Sequence, residues 1–298
     1  MTAIAPLALV LVLGPYVRTK VDRNDVNSHC LLWTSPQITF VQDTLGTEDT
    51  QGNRSEFTAF SRSLASWNQA ATACSSVRLT EGPQIVERTV GWEKDAPNNY
   101  NVVLYRRVGC TAAAPNNDPC WGDNSCYNKY DCWGGRTGTL ALTTTTYDLD
   151  TGHIHDTDIE ANDLFFFFTT VDAPQCGGSP SASCVSSDVQ NTMTHELGHA
   201  LGLDHAPETF STMFATADKG EIAKRQIDSD SARYLCEAYP YSGIPLDCVA
   251  LRPPHHHLGG VDTSSPFGCA SATGGPALAL LAAAALRAFG RRRARPLR

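Results

Sequence analysis

His195, Glu196 and His199 form the pattern His-Glu-x-x-His, and His205 follows six residues after the second histidine. On an α-helix, residues four apart lie one turn apart on the same face, so His195 and His199 present two imidazoles together. Gly202 can adopt a left-handed conformation that ends such a helix and turns the chain. That turn lets His205 approach from outside the helix as a third nitrogen ligand. Three imidazoles leave a fourth tetrahedral position for water, the mark of a catalytic zinc site rather than a closed structural one. Glu196 reaches the same side without ligating, where a carboxylate can take a proton from water and pass it on. Scattered core or surface histidines are the bland alternative. A bare His-Glu-x-x-His arises by chance, but Gly202 and His205 in register weigh against chance here.

These residues need a helix beneath them and a sheet beside them. Ser187 followed by Gln190 reads as a capping box, which predicts a helix starting at Asp188 and running through the histidines. Upstream the pattern is mixed. Gln37–Val41 alternates as a half-buried strand, and Ser55 can cap a helix whose Phe57, Phe60, Leu64, Trp67 and Ala71 recur at helical spacing. Val77 with Leu79, Asn101–Tyr105 and the threonine-rich Leu140–Thr146 read as further strands, and Phe165–Phe168 as a buried one. Tyr100–Tyr105 and Leu140–Thr146 are both candidate sheet edges for an extended ligand. Pro115–Gly135 is an insert whose Cys120, Cys126 and Cys132 are spaced too widely for a zinc ribbon, so disulfides stapling a loop are expected. Cys176 with Cys184 and Cys236 with Cys248 are plausible local pairs, although connectivity does not follow from sequence.

The run from His195 to His205 resembles the extended zinc signature of the metzincins. Ser211-Thr212-Met213-Phe214 lies at a spacing similar to that of the matrixins, which makes Met213 the Met-turn residue. An ordinary core methionine is the alternative. Ile227–Tyr239 is similar to the C-terminal matrixin helix, with Ile227, Tyr234, Leu235 and Tyr239 as its buried side. The resemblance spans about Trp33 to Pro240, is strong over Ser187–Met213 and only architectural before that. It implies an α+β, metzincin-like catalytic domain at residues 30–250, with a twisted, mostly parallel sheet, an active-site helix and a C-terminal helix. It also implies a zinc-dependent metalloendopeptidase in which zinc on His195, His199 and His205 activates water and Glu196 serves as general base. A protein or peptide substrate would add as a strand to a sheet edge. His153, His155, Asp156, Asp158 and Glu160 look like the matrixin segment that holds structural zinc and calcium. A strand with a solvated acidic edge is the alternative. Phe214 and Ala215 depart from the family's usual Tyr and Pro, so the specificity-pocket wall is expected to differ. Cys30 is expected in a disulfide rather than as a thiol that blocks the zinc.

The chain has 298 residues, 23 basic and 31 acidic side chains and a net charge of −8, which argues against general nucleic-acid binding. Eleven cysteines point to an oxidising compartment. Residues 1–17 lack charged side chains, and their Leu7–Leu13 run fits the apolar region of a secretory signal. Residues 251–268 shift to Pro, His, Gly and Ser as an exposed linker, whose His255–His257 read as a solvated patch. In residues 269–298, Cys269 is followed by the apolar run Ala277–Leu286 and then by six arginines in the last twelve positions. This order resembles the myxobacterial C-terminal sorting tail. It implies processing or lipidation at Cys269 and a secreted protein anchored at the cell surface or outer membrane. A monomer is expected. Two other classes remain in view: a surface-anchored adhesion module on the same fold, which would not need Glu196, and a zinc hydrolase of non-peptide amides or esters.

Overall fold

In the computed structural model, which describes residues 16–50, 52–241 and 243–248, short apolar runs become strands around two long helices. In chain order the elements are β1 (Val17–Arg18), β2 (Gln37–Gln42), α1 (Ser55–Ala71), β3 (Arg78–Glu81), β4 (Asn101–Arg106), α2 (Cys110–Ala113), α3 (Cys120–Asp123), α4 (Cys126–Lys129), β5 (Ala141–Tyr147), β6 (Ile154–Asn162), β7 (Phe168–Thr169), β8 (Ser187–Asp188), α5 (Val189–Ala200), β9 (Leu203–Asp204) and α6 (Ser229–Ala238).

The central sheet has the order β3-β2-β4-β6-β5, with every pairing parallel except β5 against β6. This is the α+β architecture with a mostly parallel sheet that the resemblance implied. β2, α1 and β3 form a crossover unit, since parallel neighbours need a long connection. β4 lies in the middle, covered on both faces, and its sequence Asn-Val-Val-Leu-Tyr-Arg is accordingly almost unbroken in apolar character. Leu140–Thr146 is therefore the free edge and Tyr100–Tyr105 is not, because β2 and β6 flank β4.

One sheet face packs against α1 and α5. The predicted α1 stripe is buried there, and Trp67 donates from Nε1 to the Thr194 carbonyl at 2.8 Å. The other face lies under the segment after β3 and the disulfide insert, where Val41, Val90, Val102 and Leu104 cluster with Ile85 and Tyr127. Arg106 is fully buried on that face. Its Nε donates to Glu160 at 2.8 Å and its Nη1 pairs with Asp131 of the insert. Arg88 bridges the same Asp131 to Asp43. Buried charges are tolerated when paired in this way.

Several expectations need correction. Phe165–Phe168 is not a buried strand: Phe165 is 52% exposed, Phe166 and Phe167 are half-buried, and only Phe168 enters the core and pairs with Ser187. Four adjacent rings cannot share one side of a turning chain, so only the last goes inside. The disulfides are Cys30–Cys248, Cys74–Cys236, Cys110–Cys132, Cys120–Cys126 and Cys176–Cys184. The pairing of Cys236 with Cys248 is thus replaced by two long-range links, as the end of α6 lies beside the end of α1. A link closing a loop of that length removes about 5 kcal/mol of unfolded-chain entropy. Cys30 is in a disulfide, as expected.

Of the segment read as a secretory signal, Tyr16 packs against the core and the exposed Val17 joins it through the backbone. Tyr16 stacks edge-on against Tyr234 and pairs with Glu237, and Val17 pairs with Asp204. Residues 1–15, the rest of that segment, lie outside the described residues. The whole linker and the whole tail with Cys269 lie outside the described residues. Among the described residues no helix is long and apolar enough to cross a membrane.

Candidate active site

α5 begins one residue away from the capping box read in the sequence. Asp188, not Ser187, is the cap, and its Oδ1 accepts from the Asn191 amide at 2.7 Å. Ser187 is engaged in the bridge to Phe168. Asp188 also accepts from Arg225 Nε at 2.8 Å, so one carboxylate caps the helix and ties it to the loop beyond the histidines. Val189, Met193, Leu197 and Ala200 face the core, whereas Asn191, Thr192, His195 and His199 border the cleft.

The helix ends as the glycine predicts. Gly202 has φ +104°, and a Cβ there would lie 2.5 Å from the Leu31 carbonyl oxygen and 2.9 Å from the Tyr234 hydroxyl. Both the left-handed turn and the close approach of the amino-terminal segment require glycine. The carbonyls left unpaired at the helix end find side-chain donors: Tyr234 and Tyr239 hydroxyls donate to Leu201 at 2.5 and 2.7 Å, and Trp33 Nε1 donates to Ala200 at 2.8 Å. The aromatic residues of the predicted C-terminal helix thus act on the active-site helix directly.

Beyond this turn the chain brings His205 to the other two histidines. His199 Nε2 is 3.2 Å from His195 Nε2 and 3.1 Å from His205 Nε2. His195 Nδ1 donates to the Thr212 carbonyl at 2.7 Å and His199 Nδ1 donates to the Leu203 carbonyl at 2.8 Å. A carbonyl only accepts, so the proton sits on Nδ1 and the Nε2 lone pair points inward. Burial, reinforced by His199, holds His195 well below the ordinary imidazole value. Burial lowers His199, and burial with His199 lowers His205 to about 4. At neutral pH three neutral imidazoles therefore converge through their Nε2 atoms. Ligands about 2.0–2.1 Å from a tetrahedral zinc ion stand about 3.4 Å apart, so the donor set and its spacing fit zinc.

Met213 packs under this helix. A Cβ on Gly198 would lie 2.2 Å from Met213 Sδ, which shows how closely the turn and the helix meet. The turn also supplies Thr212, whose carbonyl orients His195. Asp228, which the sequence reading did not single out, accepts from the Thr212 amide at 2.9 Å while capping α6 through Asp230 and Ser231. Asp-Ser-Asp-Ser before an amphipathic run was a cap signal that could have revealed it.

Glu196 is buried at the cleft floor, and burial raises its carboxyl above the ordinary value. Thr143 of β5 donates to its Oε2 at 2.6 Å. Thr143 was legible only as a strand residue. The cleft is about 1110 Å³. The beginning of β5 lines one side, the insert contributes Tyr127, Trp133 and the run to Gly138, and Phe214–Lys219 with Glu221 and Lys224 line the opposite side. Phe214 and Ala215, the departures from the family pattern, both border it.

The second expected metal segment behaves differently. His153 precedes β6, and His155 is exposed and stacks on Trp92 at 4.8 Å. Asp156, Asp158 and Glu160 are buried, so the alternative of a solvated acidic edge fails. The segment after β3 and β4 engage two of them: Asp158 accepts from Gly91 N at 2.6 Å and Val102 N at 2.8 Å, while Glu160 is held by Arg106. Burial raises Asp156 to about 6. Among the described residues, the one set of three or more metal-binding side chains that converges is His195, His199 and His205.

The matrixin family model matches residues 125–239, the stretch that carries β5, β6, α5, the Met213 turn and α6. The match supports a matrixin-like metalloprotease, with peptides as the substrate class. A comparison with curated proteins gives no match.

Proposed function

We propose that this protein is a zinc endopeptidase exported from the cell and anchored at its surface. The observation that carries the catalytic part is the convergence of the three Nε2 atoms of His195, His199 and His205 beside a buried Glu196. Zinc held by His195, His199 and His205 would supply Lewis acidity, polarising a carbonyl and bringing the pKa of water to about 7. The rest of the chemistry falls to the chain. An extended peptide pairs with the free edge of β5, which sets its main chain across the cleft floor. Glu196 accepts a proton from the attacking water as the new C–O bond forms, then delivers it to the leaving nitrogen as the C–N bond breaks. The Thr212 and Leu203 carbonyls keep two imidazoles in one tautomer and one orientation throughout.

Five disulfides support export, and the order of Cys269, apolar run and arginine cluster supports anchoring. The test compares wild type with Glu196→Ala on casein and a peptide library, with zinc and calcium content measured in parallel. Retained zinc with cleavage reduced at least a hundredfold is the expected result. Equal cleavage by the variant, or a folded preparation that takes up no zinc, overturns the reading. For anchoring, mass spectrometry of the mature chain should show processing near Cys269, and a chain released with Arg298 intact contradicts it.

A further inference from the structure

Thr143 stands on the sheet edge and touches the proposed general base. On β5 the odd-numbered residues Ala141, Thr143 and Thr145 are buried, while the alternate residues are partly exposed. Strand alternation therefore turns the Thr143 side chain inward, onto the same side as α5. Its hydroxyl lies 2.6 Å from Glu196 Oε2 and 3.2 Å from the Glu196 main-chain oxygen. A hydroxyl has one proton, and at 2.6 Å the bond to Oε2 has the length of a charge-assisted hydrogen bond to a carboxylate. Among the described residues it is the hydrogen bond that the Glu196 side chain makes. Oε1 is left to the cleft.

From this geometry we propose that Thr143 is the positioning residue for Glu196: it pins Oε2 so that Oε1 faces the attacking water. This rests on the peptidase reading above and deepens it. The consequence is a mechanical link between substrate and base. Thr143 belongs to the strand whose free edge the peptide pairs with, so the seat of the substrate and the aim of the base are set by one element. A buried carboxylate with no such donor would sample other rotamers, and a general base misplaced by about 1 Å loses much of its effect. Both hydrogen bonds of the hydroxyl among the described residues go to Glu196, so it acts through Glu196 and its loss belongs in kcat.

Thr143→Val keeps the shape and β-branching of the side chain and removes the donor, while Thr143→Ser keeps the donor and removes a methyl group. Both variants and wild type are loaded with zinc. Each is then assayed for zinc content, thermal melting, kcat and KM on a quenched fluorescent peptide that wild type cleaves. The expected result is a fall in kcat of about tenfold for Thr143→Val, with KM within about twofold and zinc content unchanged. Thr143→Ser should return kcat to within about threefold of wild type. A kcat for Thr143→Val within twofold of wild type overturns the assignment. So does a loss that follows zinc content, or one that Thr143→Ser shares in full, because each marks a packing role. Wild-type enzyme that holds zinc and cleaves no peptide overturns the peptidase reading itself, and the assignment with it, which separates the two failures.

Discussion

In the floor of the cleft, α5 and the two turns after it hold the histidines through main-chain carbonyls and through side chains of the main core. In the wall beside it, residues 110–138, which contain the insert, have a small core of their own, made mostly of cysteines, and reach the sheet through buried charge. The floor is continuous with Trp67, Met193, Leu197 and Tyr234, so any change there is felt throughout the domain. The wall hangs on two disulfides and on Asp131, which pairs with both Arg88 and Arg106. The lesson is that the histidine triad and the cleft wall rest on separable supports. Disturbing the floor should cost stability and metal together, whereas disturbing the wall should change substrate affinity and leave the metal in place.

The largest expected effect is Gly202→Ala. The added Cβ meets the Leu31 carbonyl oxygen and forces a residue with a side chain into φ +104°. A loss of about 3 kcal/mol or more in chemical denaturation, with zinc content below half of wild type, is expected. A stable, fully loaded variant would break the picture of a rigid floor.

Next comes the paired substitution Cys110→Ser with Cys132→Ser, which opens a link across 22 residues. Steady-state kinetics should show KM raised several-fold with zinc content unchanged, alongside a stability loss of about 3 kcal/mol. Loss of zinc in this variant would show that the two supports are joined after all. Asp131→Asn should act in the same sense and more weakly, at about 1 kcal/mol, since Glu160 still holds Arg106.

The smallest effect is a difference in the sign of pH dependence. His205 has a folded value of about 4 against an ordinary 6.5, so the unfolded chain takes up its proton first as pH falls. Its contribution to the stability of the metal-free protein is complete above 6.5 and lost as pH drops towards 4. Asp156, buried on β6 beside Asp158, has a folded value of about 6 against 3.8. There the folded state binds the proton first, so stability is complete below 3.8 and lost as pH rises through 6. Melting curves of metal-free His205→Gln and Asp156→Asn between pH 4 and 7 should change slope in opposite directions. Slopes changing in the same direction would refute the contrast.

What was legible in the sequence follows from local geometry. His195, His199 and the glycine turn are set by helical spacing and by the conformational freedom of one residue, so their grouping with His205 could be read before any fold was known. The same holds for the α1 stripe, where Phe57, Phe60, Leu64 and Trp67 record one buried face. Met213 could be placed by spacing, but its close packing on Gly198 could not.

Other features depend on which elements become neighbours, and that is decided by the whole chain burying its apolar surface at once. Asn101–Tyr105 and Leu140–Thr146 both look like strands. Only the sheet order makes the second one the edge, and only that edge brings Thr143 to Glu196. Cys236 lies close to Cys248 in sequence yet bonds to Cys74, because α6 folds back beside the end of α1. Asp156, Asp158 and Glu160 read equally well as metal ligands or a solvated rim, and only the fold, which buries all three, removes the second reading. The sequence by itself determined the metal-binding unit, whose members lie within one helix and its following turn. The tertiary structure decided what surrounds that unit, since sheet order, disulfide partners and burial depend on contacts between residues far apart in the chain.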